Sequence, residues 1–165
     1  IGGFVFPFAS WLVADEFIAA TSEHEFCVSC HSMEPMKAAY LQDVHGGKST
    51  HGVQVSCTDC HLDHSNSAAY FVDKARTGLH DAYVEYVRGA DDVDWVEKLA
   101  HRTRYVYDSG CLECHANLEK ATMANNKAFV AHRPYFLGET SKQCVECHEH
   151  VGHNNLVSYL TQEQR

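Results

Sequence analysis

The sequence predicts a mainly α protein: an N-terminal transmembrane helix over residues 1–20, followed by a small domain over 21–165 in which short helices and loops wrap around large bound groups. Three observations carry this reading. All eight cysteines fall into four C-x-x-C-H motifs. The clearest periodicity in the chain is helical, and no stretch alternates apolar and polar residues as a half-buried strand would. The first fourteen residues, Ile1 to Ala14, carry no charge and include Phe4, Phe6, Phe8, Trp11 and Leu12.

The N-terminal stretch comes first. A spanning helix needs about 20 apolar residues, and Ile1 to Ala14 is shorter, so the anchor is expected to be incomplete at its N-terminus. Trp11 followed by Asp15 and Glu16 suits a helix leaving a bilayer through its aromatic belt. A buried core helix or the apolar region of a signal peptide would share the composition.

Next come the helices of the domain. Ser65, Asn66 and Ser67 offer N-caps to a helix running from Ala68 towards Gly89, a suitable C-terminal stop. Lys74 and Asp81 lie two turns apart on it, on roughly one face, with Gly78 between them, where backbone could approach a flat ligand. A second helix is expected from Asp94 to about Asp108, ending at Gly110. The remaining segments read as short helices and loops.

The motifs are Cys27-Val28-Ser29-Cys30-His31, Cys57-Thr58-Asp59-Cys60-His61, Cys111-Leu112-Glu113-Cys114-His115 and Cys144-Val145-Glu146-Cys147-His148. Two cysteines three residues apart put their sulfurs on one side of a turn, where each can form a thioether to one haem vinyl group. The histidine that follows then lies under the iron. A zinc knuckle or a redox dithiol also uses C-x-x-C, but neither requires that histidine four times out of four. Four covalently bound haem c groups are therefore expected, held by Cys27, Cys30, His31, Cys57, Cys60, His61, Cys111, Cys114, His115, Cys144, Cys147 and His148. Successive motifs start 30, 54 and 33 residues apart. That short-long-short rhythm suggests two related halves, about 21–64 and 105–155, each holding a pair of haems. Four large flat apolar groups among 165 residues would supply much of the interior, so regular secondary structure is expected to be modest.

Composition limits the function classes. The formal charge of −9, to which haem propionates would add, argues against a nucleic-acid ligand and fits a basic partner surface or a small neutral ligand better. Haem attachment to reduced thiols places the domain outside the bacterial cytoplasm, in the periplasm. Thirteen histidines equal the lysines and arginines combined. Beyond the four in the motifs stand His24, His45, His51, His64, His80, His101, His132, His150 and His153, and several should be sixth ligands. A filled coordination sphere suits electron transfer and leaves no place for substrate. Met33 and Met36 follow the first motif; a thioether ligand would raise that haem's potential, whereas gap-filling beside the haem is the plainer reading of Met36.

The extended first motif, C-x-x-C-H-x-M from Cys27 to Met33, together with the anchor and three further motifs, resembles the NapC/NirT family of membrane-anchored tetrahaem quinol dehydrogenases over nearly the whole chain. Within that family the size is similar to the small subunit serving ammonia-forming cytochrome c nitrite reductase. The resemblance implies that Met33 rather than His31 binds the first iron. It implies that Asp81 occupies the other face of that haem and that Lys74 stands at the quinol pocket. It implies distal histidines at His45 and His153, with His51 an alternative near the first of these. His132 matches a distal ligand of the fourth haem that some members have and others take from the partner enzyme.

A function follows as an expectation. Menaquinol from the lipid would be oxidised beside the first haem, Asp81 taking a proton and Lys74 contacting the carboxylate or ring oxygen. Electrons would pass to a periplasmic multihaem reductase, a nitrite reductase being favoured by chain size, in a hetero-oligomer at the inner membrane. The alternatives are an electron-carrier subunit without its own quinol site and a terminal reductase with an open haem.

Overall fold

In a computed structural model the described residues are 2–90 and 93–161, with side chains from Phe6 onwards. Ile1, Asp91, Asp92 and residues 162–165, which belong to the expected anchor and domain, lie outside them. All regular structure among the described residues is helical, in pieces that follow one another along most of the chain. Helical structure is thus more plentiful than the sequence suggested, although most of its runs are short.

Helix α1 spans Gly2–Ala20 and stands clear of the domain, with Phe6, Phe8, Trp11, Val13 and Phe17 exposed. Pro7 lies inside the helix and removes one N–H from its hydrogen-bond ladder. Among the described residues no helix is long and apolar enough to cross a membrane.

The motif helices start for a local reason. Helix α4, Cys57–His61, opens with a capping box in which the Ser56 backbone N–H donates to Asp59 Oδ2 at 2.8 Å. In helix α10, Cys144–Cys147, the Gln143 backbone N–H does the same with Glu146 Oε2 at 2.7 Å. The acidic residue before the second cysteine therefore satisfies backbone donors at the N-terminus and fixes the turn that presents both sulfurs. The first motif is built differently. Helix α2, His24–Cys27, ends at the first cysteine; Cys30 is extended, and a separate 3₁₀ turn carries His31–Met33 into helix α3, Glu34–Tyr40.

Helix α5 runs Ser67–Tyr83, N-capped by Asn66 Oδ1, which accepts from the Ala69 N–H at 3.0 Å. It continues as a π-helical segment, Val84–Gly89, and stops where Gly89 takes φ 96°. The expected second helix is corrected. Helix α6 covers only Trp95–Ala100, a 3₁₀ turn spans Arg102–Arg104, and a new helix, α7, begins at Asp108 and carries the third motif to Cys114. Gly110 lies inside α7 and does not terminate a helix. Its missing side chain lets α7 close onto α4: a Cβ there would overlap the Asp59 carbonyl oxygen. The contact is tied by Tyr107 N–H to Cys60 O at 3.1 Å and by Ser109 Oγ, which donates to Asp63 Oδ1 at 2.9 Å. Gly110→Ala must push the second and third motifs apart and is expected to cost about 1–3 kcal/mol. A lowered Tm in the haem-loaded protein checks this; an unchanged Tm would mean the contact is not tight.

Helices α8, Leu118–Thr122, and α9, Asn126–Phe136, fill the interval before the fourth motif. The polypeptide core is slight: Ala39, Leu156 and Leu160, with Met36, Trp95 and Leu99 packed against them. The chain exposes 11627 Å², against about 8,200 Å² for an ordinary folded monomer of this mass.

Candidate functional site

The described fold gathers the histidines in pairs. His61 and His153 have ring centroids 6.0 Å apart, His115 and His45 6.3 Å, and His148 and His132 5.9 Å. A metal held between two imidazoles has a nitrogen about 2 Å away on each side. Adding roughly 1 Å from each nitrogen to its ring centre puts the centroids about 6 Å apart. The three separations fit an iron between each pair. Each pair also joins one motif histidine to one outside the motifs.

The far sides of the rings point the same way. Nδ1 of His61 donates to Tyr105 O at 2.8 Å, that of His153 to Met36 O at 3.1 Å and that of His132 to Ala128 O at 2.8 Å; Nδ1 of His45 faces Asp43 Oδ1 at 3.0 Å. An N–H held at Nδ1 leaves the lone pair on Nε2, the tautomer a metal needs. Burial lowers the pKa of His61, and burial together with His61 lowers that of His153 to about 4, so both stay neutral. Among the described residues, no three His, Cys, Asp or Glu side chains converge as a protein-only metal site would require.

The other histidines have different surroundings. His64 Nε2 donates to Thr58 O at 3.0 Å and its ring packs on Tyr70, which braces the second motif. His24 packs on Tyr40. His51 is exposed in the loop after His45, its backbone N–H on Ser49 Oγ at 3.1 Å. His80 faces Asp81 at 3.2 Å, and His101 and His150 are exposed.

None of the eight cysteines is in a disulfide. The neighbouring Cys57 thiol lowers Cys27 to about 7, and Cys27 in turn raises Cys57. Cys111 and Cys144 do the same, with Cys111 lowered to about 7 and Cys144 raised. Asp108 Oδ1 accepts the Cys144 N–H at 2.9 Å and so links the third motif to the fourth. The first motif therefore meets the second, the third meets the fourth, and α4 against α7 joins the middle.

At the first motif His31 turns outward. Its side chain is 82 % exposed, with Nδ1 3.6 Å from Glu34 Oε1, while Met33 is half-buried. Met36 packs in the core, as its gap-filling reading anticipates. Helix α5 and its π-helical extension lie alongside. Glu85 accepts from the His31 backbone N–H at 2.9 Å and from Ser32 Oγ at 2.7 Å, clamping the 3₁₀ turn that carries Met33. Asp81 acts electrostatically on both Cys27 and Cys30, and Lys74 on Cys27. Lys74 Nζ donates to Thr21 O at 3.0 Å and Ser22 Oγ at 2.7 Å, a cation at the C-terminal end of α1. Among the described residues no ion pair joins Lys74 to Asp81, and the surface beside Gly78 is open. A polar cleft of ≈ 470 Å³ lined by Ser22, Glu23, His24, Asp59 and Tyr70 adjoins the lysine.

Two carboxylates escape a reading of the sequence. Glu85 is one turn beyond Asp81 on the same helix, a spacing that could have drawn it in. Asp43 stands two residues before His45, the short offset at which an Asp side chain meets nearby backbone N–H groups.

Residues 1–158 match the NapC/NirT cytochrome c family, N-terminal region. The chain is 29 % identical over 164 residues to the cytochrome c-type protein NapC of Haemophilus influenzae, covering 93 % of this chain and 76 % of that protein. It is 28 % identical over 145 residues to the cytochrome c nitrite reductase subunit NrfH of Nitratidesulfovibrio vulgaris, covering 87 % and 75 %. It is 27 % identical over 179 residues to the tetraheme c-type cytochrome CymA of Shewanella oneidensis, covering 92 % and 86 %. No solved structure matches the chain. With four haem-attachment motifs and a match that runs almost from end to end, the chain belongs to the NapC/NirT family of c-type cytochromes.

Proposed function

We propose that this chain is a single-pass cytochrome of the bacterial inner membrane, with its haem domain in the periplasm, that oxidises menaquinol and delivers electrons to a periplasmic multihaem nitrite reductase. The observation that carries the proposal is the junction of α1, α5 and the first motif. The lysine that caps the end of the apolar helix and the aspartate beside the first motif stand on one helix. A quinol arriving from lipid along the exposed aromatic face of α1 meets them first. The relative named as a nitrite reductase subunit supports the choice of partner.

Residues 1–20 act as the anchor and 21–165 as the domain, with sites for pairs of haems over 21–64 and 105–155. The residues that would hold haem c are the eight motif cysteines; His61 with His153, His115 with His45, and His148 with His132 would hold three of the irons, and Met33 would hold the first. When bound, the haems supply one-electron couples.

The chain's own residues do the rest. Asp81 accepts a hydrogen bond and then a proton from the quinol hydroxyl. Lys74 orients the ring oxygen, and Ser22 and the polar cleft beside it open a way for protons to water. Glu85 holds Met33 in register with Asp81.

The test is reduction of the haem-loaded protein in liposomes by a menaquinol analogue, followed by haem absorbance. Rapid reduction, with co-purification of the reductase from membranes, is the expected result. Reduction by dithionite or a donor protein but not by quinol would overturn the proposal in favour of a carrier subunit.

A further inference from the structure

Four of the six paired histidines have a fixed partner on Nδ1, and one of these partners differs in kind. His61, His153 and His132 donate to backbone carbonyls, which are neutral. His45 faces the carboxylate of Asp43, whose Oδ1 also accepts the His45 backbone N–H at 2.8 Å. Asp43 is buried, its side chain only 10 % exposed.

We propose that Asp43 is a positioning residue that sets the potential of the third haem, making it the hardest to reduce of the three with paired histidines. The inference rests on His45 and His115 being the axial pair of that haem. A carboxylate drawing on the Nδ1 proton gives the imidazole imidazolate character and makes it a stronger donor, which favours the ferric state. A buried negative charge acts in the same direction, because reduction removes a positive charge from the iron. Both effects lower the potential. Carbonyl partners give only the weaker, uncharged form of the first effect. The backbone bond from His45 to the same oxygen locks the ring, so the influence does not average away. Since the third site joins the two halves through α4 and α7, a low potential there would set the energetic step between them.

Potentiometric titration of the haem-loaded protein with soluble mediators tests this without any quinol. In Asp43→Asn the amide oxygen can still accept the Nδ1 proton but the charge is gone. One midpoint potential is expected to rise, with four haems retained and the low-spin spectrum intact, and Asp43→Glu should return that potential most of the way. Unchanged potentials in Asp43→Asn with intact ligation would overturn the tuning role. His45→Met should change the spectrum of a single haem, and its failure to do so would overturn the pairing and the inference together. If quinol oxidation alone proved wrong, these titrations would give the same answers.

Discussion

Chain produced without covalent haem attachment is expected to remain largely unfolded, with the far-UV circular dichroism of a disordered polypeptide and no cooperative thermal transition. The polypeptide alone has little to fold around. Among the described residues the buried apolar ones are Ala39, Leu62, Ala90, Val145, Leu156 and Leu160, and no large side chain is fully buried. The chain exposes roughly 3,400 Å² more than a folded monomer of its mass. Only part of that excess is apolar, but at ~25 cal/mol per Å² roughly 200–600 Å² of apolar surface already matches the ~5–15 kcal/mol of net stability that an ordinary domain retains. The motif helices are too short to persist alone, since isolated helices under about 12 residues are marginal in water. Replacing all eight cysteines with alanine and comparing the product with the haem-loaded protein by circular dichroism checks this. A cooperative transition in the cysteine-free chain would show that the small core around Leu156 and Leu160 is sufficient.

The parts of the molecule legible in its sequence are those whose signals are local. Asn66 as a cap, the run of α5 and the turn at each cysteine pair follow from residues within a few positions of one another, and the structure has them. The failure at 94–108 is instructive. Glycine favours helix ends, so Gly110 looks like a stop, but its task is to admit the Asp59 carbonyl from a segment some fifty residues away. No window of sequence contains that contact. Haem volume leaves the polypeptide core small, yet local capping boxes at Ser56 and Gln143 still build helices.

The candidate site divides along the same line. C-x-x-C-H singles out the candidate attachment positions from local spacing, whereas which of nine further histidines faces which motif is a matter of topology. His45 reaches His115 across seventy residues, and His153 reaches His61 across more than ninety. Spacing alone could not rank His45 above His51; the family resemblance did, and the fold sets His45 against a partner ring while His51 stays exposed. Glu85 and Asp43 were missed for a different reason. An acidic residue on a helix or in a turn looks like solvated surface until the backbone N–H groups it holds are known.

Asp81→Asn is expected to lower quinol-driven reduction by about 10²-fold or more while leaving the rate and extent of dithionite reduction unchanged. Asp81 acts electrostatically on both cysteines of the first motif, and among the described residues the side chain in hydrogen-bond reach of it is His80 at 3.2 Å. Asparagine keeps the shape and one acceptor oxygen, so a quinol hydroxyl can still dock, but it cannot take the proton. Loss should therefore fall on the turnover rate more than on the apparent quinol affinity. Lys74→Met provides the contrast. Lys74 is held by Thr21 and Ser22 and has no ion pair to Asp81 among the described residues. If it orients the ring oxygen, its loss should weaken apparent affinity more than turnover. Stopped-flow reduction of the liposome-embedded protein at a series of quinol concentrations separates the two. Full quinol-driven activity in Asp81→Asn would remove the aspartate from the site. Equal effects of both variants on turnover would instead mean that lysine and aspartate act as one proton-accepting unit, brought together only when quinol binds.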